Sequence, residues 1–121
     1  MIEGWFGERD ELFFEIELIA GDELELPIDV MLDTGFSGWL VIDEQDLQGL
    51  DWTRVGERDM RMARGEVKFD IYAGKVRIDE NEFDIPVHVG QGVSEVLLSR
   101  QWLKTRHLLV DMPLGVLTLG N

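Results

Sequence analysis

The sequence contains no cysteine, two histidines, and only 11 lysines and arginines against 25 aspartates and glutamates. The missing thiol excludes disulfides, thiolate nucleophiles and cysteine-ligated zinc or iron–sulfur centres. Two histidines argue against a multi-histidine metal centre or a histidine relay. A formal charge of −14 argues against nucleic acid as a partner, because the phosphate backbone is held by clustered cations that release counterions. The same repulsion disfavours an anionic membrane surface. No apolar run approaches the roughly 20 residues that cross a bilayer, and residues 1–5 lack the basic and apolar regions of a signal peptide. The expectation is a cytoplasmic protein with no cofactor, no metal, no nucleic-acid partner and no membrane partner.

With 121 residues, 45% of them hydrophobic, the chain can bury one core and is too short for two ordinary domains, so residues 1–121 are read as a single domain. Alternating apolar and polar residues along 12–19 and 24–30, broken at Gly21 and Asp22, predict a hairpin. Residues 39–42 read as a short buried strand, and Asp43 is placed to cap a brief helix over 44–48, ended by Gly49. Three more strands are predicted at 54–62, 67–78 and 83–89, parted by turns at Arg64-Gly65 and at 79–82. Val96-Leu97-Leu98 leads into Ser99, the cap of a second short helix ending near Thr105, and 107–111 with 116–119 form a closing hairpin. Many short strands with one or two short helices predict a mainly β fold, a barrel or a sandwich.

The segment that carries chemistry is Leu32-Asp33-Thr34-Gly35. By itself Asp-Thr-Gly also suits an ordinary turn, with the carboxylate accepting a backbone hydrogen bond and the glycine taking a positive φ. Its company distinguishes it: two apolar residues before, Phe36-Ser37-Gly38 after, and Leu97-Leu98-Ser99-Arg100-Gln101-Trp102-Leu103 near the far end. This combination resembles the retropepsin-like aspartic proteases, in which a buried-strand Asp-Thr-Gly is followed later by an apolar-apolar-Gly strand, a short helix and a final hairpin. Asp33-Thr34-Gly35-Phe36-Ser37-Gly38 looks most like the prokaryotic single-domain branch, where Phe follows the triplet. The likeness runs from Phe13 to Leu119 and implies a closed acid-protease barrel.

What the resemblance implies chemically is an aspartic endopeptidase. Two carboxylates about 3 Å apart share one proton and act together as base and acid on a water. The chain holds Asp-Thr-Gly once, so the implied partner is a second copy: a homodimer in which Asp33 and its symmetry mate form the dyad for a peptide or protein substrate. Thr34 then makes crossed hydroxyl-to-backbone bonds between the two loops, Gly35 lets its backbone approach carboxylate and substrate, and Ser37 supports the loop. Phe36 replaces the small residue of the viral enzymes, and either lines the pocket beside the dyad or belongs to the core. The implied flap falls on 60–67, with Gly65 at its tip and Arg61 and Arg64 as cations that favour acidic substrates if the hairpin closes over a cleft. In the second motif Leu97 and Leu98 match, while Ser99 stands where the family has a glycine packed behind the loop. Arg100 occupies a position whose guanidinium, in the retroviral members, ties to an aspartate. Ser37 stands at that partner position here, so Arg100 is expected to find another acid or solvent.

Elsewhere the residues point to structure. The acidic run 79–82 with Asp84 lacks the spacing of a calcium loop. Met60 and Met62 read as packing, His88 and His107 as structural or surface residues, and the tryptophans at 5, 39, 52 and 102 as core or subunit interface. Two functions stay open: an endopeptidase built on Asp33, and a non-catalytic retropepsin-fold binding or assembly module, since a fold does not carry its activity with it.

Overall fold

A computed structural model describes residues 1–62 and 65–120. The alternating segments are strands: β3 (Leu12–Ile19) and β4 (Glu25–Asp33) pair antiparallel from Phe13↔Met31 to Ile19↔Glu25. Phe14, Ile16 and Leu18 are buried while Glu15 is exposed, the two-residue period of a sheet with one wet face. Pro27 is admitted into β4 because, among the described residues, only β3 lies beside that strand before Met31. Its missing N–H therefore faces an open edge.

After these come β5 (Leu40–Asp43), α1 (Glu44–Leu47), β6 (Thr53–Met62), β7 (Gly65–Ile78), β8 (Asn81–Gly90), β9 (Leu97–Ser99) and a 3₁₀ turn, Arg100–Lys104. Strands β3, β4, β9, β5, β8 and β7 neighbour one another in that order, and β7 returns to β3 through Glu17↔Arg77 and Leu18↔Val76. The result is a closed 6-strand barrel, which decides between the two predicted architectures. Closure leaves these strands no open edge along the seam and encloses Phe14, Val30, Leu40, Val76, Val87 and Leu98. Within the acidic run, Asp79 and Glu80 form a two-residue hairpin turn at φ 53° and 69°, the handedness that matches the twist of flanking strands, and the rest of the run lies in β8.

Two features lie outside what the sequence pattern predicts. β1 (Ile2–Glu3) joins β11 (Val116–Gly120), itself paired with β10 (His107–Asp111), in a separate three-stranded sheet, and β2 (Trp5–Phe6) lies along β3. Two-residue strands carry no periodicity to read. The other is a second, smaller core of Phe36, Val41, Met60 and Phe69, which joins the loop after β4 to the β6–β7 hairpin. Among the described residues no helix is long and apolar enough to cross a membrane.

Candidate active site

β9 lies parallel to β4, with Leu32 opposite Leu98 and Asp33 opposite Ser99, and antiparallel to β5, with Leu40 opposite Leu98. The chain therefore leaves β4 at Asp33, passes over the end of β9 and re-enters the sheet on its far side as β5. This crossing brings the two motifs, far apart in sequence, into register. Leu98 is fully buried at its centre, and an apolar pair is what a strand covered on both faces requires.

At the exit from β4, the Asp33 carboxylate accepts a hydrogen bond from the Gly35 N–H (2.9 Å), and the Phe36 N–H donates to the Asp33 carbonyl (3.3 Å). A Cβ on Gly35 would stand 3.2 Å from Asp33 Oδ1, so a larger residue would crowd the carboxylate. Asp33 is half-buried, while Thr34 and Gly35 are exposed and Ser37 is half-buried.

Asp33 borders a hollow of about 360 Å³ that is also lined by Met31, Val41 and Leu97 and, from the β6–β7 hairpin, by Met62, Val67 and Phe69. Residues 91–95 form its wall. Gly65 opens β7 at φ 109° with no atom near its missing side chain. The strand thus begins two residues earlier than the predicted Val67, while Arg64 lies outside the described residues. Arg61 faces Glu66 across the hairpin, alternate to the packed Met60 and Met62, and does not line the hollow. On the packed side the cation in step with Met60 and Met62 is Arg58. Phe36, left open between pocket and core, is core: it is 2% exposed and absent from the hollow's lining. A larger hollow of about 630 Å³ around Trp52 and Gly74 includes neither motif.

The 3₁₀ turn after β9 grips the loop through three consecutive side chains. Arg100 Nη1 donates to the Thr34 carbonyl (3.1 Å), Gln101 Nε2 to the Ser37 carbonyl (3.1 Å), and Trp102 Nε1 to the Trp39 carbonyl (3.0 Å). Arg100 has therefore found neither an acid nor only solvent, as expected from the sequence, but a main-chain oxygen two atoms of backbone from the Asp33 unit. Ser99 is buried at an ordinary extended φ of −86°, and its hydroxyl accepts from the Gln101 N–H (3.1 Å). The position needs no glycine, and its hydroxyl caps the turn. Gln101 and Trp102 escape sequence reading because their partners are carbonyls, which every residue has. Trp102 is in turn clamped by the rings of Trp39 and Phe83 and by the Arg106 guanidinium, 5.8 Å from its centroid.

The Asp43 carboxylate accepts from the Gln45 N–H (3.0 Å), capping α1, and from the Val93 N–H (2.9 Å). These bonds hold it below the usual aspartate range, the Gln45 bond contributing most. The wall at 91–95 is thereby tied to β5. Among the described residues no three histidine, aspartate or glutamate side chains converge as metal ligands.

A closed barrel with this crossing is the retropepsin-like fold. The chain superposes on a retropepsin-like aspartic protease from Rickettsia conorii with a TM-score of 0.68, at 23% identity over 98% of this chain and 88% of that one. On EIAV protease complexed with the inhibitor HBY-793, the TM-score is 0.65, at 16% identity over 82% and 90% of the two chains. No protein-family model matches the chain, and no curated protein matches it.

Proposed function

We propose that residues 1–121 act as one aspartic endopeptidase domain that works as a homodimer, with Asp33 of each copy supplying half of the catalytic dyad. The observation that carries this reading is the placement of Asp33: a carboxylate at the end of the crossed strand, braced by Gly35, in the lining of a hollow that the β6–β7 hairpin also lines. Two such carboxylates across a two-fold axis share a single proton. The ionised one takes a proton from a bound water as the oxygen adds to the peptide carbonyl. The protonated one donates to the carbonyl oxygen. Collapse of the tetrahedral diol breaks the C–N bond and returns a proton to the amine, leaving acid, amine and the original dyad. In this scheme Thr34 locks the paired loops, Gly35 admits the substrate backbone, Ser37 and the Arg100 bond brace the loop, and the hairpin ending at Gly65 covers the peptide.

A second copy has a surface to meet. Leu109, Val110, Met112 and Leu114 of the β10–β11 hairpin are exposed, Leu114 at 75%, and clustered exposed apolar residues mark association sites. Asp33→Asn tests the whole reading: hydrolysis of a peptide library should fall by about a thousandfold or more, with the fold and self-association kept. Cleavage persisting in that variant would falsify the proposal and favour a non-catalytic module.

A further inference from the structure

His88 sits on β8 between Val41 of β5 and Ile71 of β7, directly behind the loop that carries Asp33. Its ring meets the edge of Phe36 (centroids 5.4 Å, interplanar 89°) and of Phe69 (5.7 Å, 74°). Gly38 leaves room for both rings: a Cβ there would stand 2.5 Å from Phe36 Cζ and 2.7 Å from His88 Cε1. The ring is 3% exposed, and among the described residues neither nitrogen has a hydrogen-bond partner.

An imidazole with two orphaned nitrogens is a costly residue to bury, since each unsatisfied polar atom forfeits its hydration. A leucine or phenylalanine would fill the space without that cost. We propose that His88 is a positioning residue that, as a neutral ring, seats Phe36 and so holds the Asp33–Gly38 loop in place, and that releases the loop when it takes up a proton. This rests on the endopeptidase reading only for its effect on catalysis. The loop coupling stands on the packing alone.

The neighbours make the protonated ring untenable where it lies. Phe36 and Gly38 from the loop, Val41 from β5, and Phe69 and Ile71 from β7 bring it no charged side chain, and among the described residues none makes a hydrogen bond to either ring nitrogen. Among the described residues, the charged group whose field reaches it is Arg58 on β6, a cation. Burial first, and Arg58 second, lower its pKa to about 4. An imidazolium can be hydrated only if something moves, and the loop beside it has an exposed stretch at Thr34 and Gly35 that can.

The test follows the amides of Gly35, Phe36 and Gly38 and the His88 ring by NMR from pH 7 to pH 3.5 in the wild type. All should change together with a midpoint near 4. His88→Phe, a flat ring without a titrating nitrogen, should abolish that loop transition. His88→Ala should lower kcat about tenfold at pH 6 with little change in KM, as expected when a reacting group loses its support, and His88→Phe should recover most of it. Loop amides that stay fixed while His88 titrates, or a transition that survives in His88→Phe, would overturn the proposal. If the loop transition is as described but no variant or wild type cleaves peptide, the endopeptidase reading fails and the loop coupling stands.

Discussion

At the scale of single residues, the side chains with most leverage are those that bond to main chain. Asp43 takes two N–H groups at once, one from α1 and one from the wall of the hollow. Because its folded pKa lies below the unfolded value of 3.8, its contribution is present above that pH and is lost as pH falls through the folded value. Asp43→Asn should therefore lower the urea midpoint at pH 6, and the gap to the wild type should close below about pH 3.8, measured by fluorescence in parallel titrations. A gap of equal size at pH 6 and pH 3 would mean that charge is not the cause. The capping role of Asp43 was legible, because a short acidic side chain before a brief helix has one common use. Its second bond was not, since nothing in Gly92-Val93 announces where an N–H will point.

Among the elements, the barrel seam carries a cluster of charges. Arg77 of β7 faces Glu17 of β3 and also bridges Glu25 and Glu82, so one cation stands among three carboxylates where the barrel closes. Burial, then the hydrogen bond and charge of Glu25, push the Glu17 pKa up, and Arg77 opposes them. Arg77→Met should destabilise the fold at pH 7 by about 1 kcal/mol, a figure kept small because these groups are between 32% and 48% exposed. The deficit should shrink as pH falls toward 4.5 and below, where protonation relieves the repulsion among the glutamates. Denaturant melts at the two pH values read this directly. The strands themselves were visible in the alternation of apolar residues. The seam was not, for Glu17 and Arg77 are separated by most of the barrel and carry no mark of their pairing. The same holds for the 3₁₀ turn: Ser99 was recognisable as a cap, whereas its neighbours' grip on the loop depends on the strand crossing that brings them there.

For the whole molecule the governing quantities are charge and copy number. Each chain carries −14, so two copies repel, and that repulsion reaches about 30 Å in 0.01 M salt but only about 10 Å in 0.1 M. The proposed dimer should tighten with salt over that range in sedimentation, and activity per chain should rise with protein concentration in step with the dimer fraction. Activity per chain independent of concentration, in a sample that sediments as monomer, would refute the shared site.

The sequence alone determined the longer strands, the caps, the exclusion of thiol chemistry and a candidate acid at position 33, because alternation, short polar side chains and missing residue types are local properties. Tertiary structure decided the rest: that the sheet closes into a barrel, that Phe36 is core and no pocket wall, that Arg100 holds a carbonyl, and that His88 lies against the loop. Each of these depends on which distant segments meet, and a strand's pattern of burial says that it must be covered without saying by what.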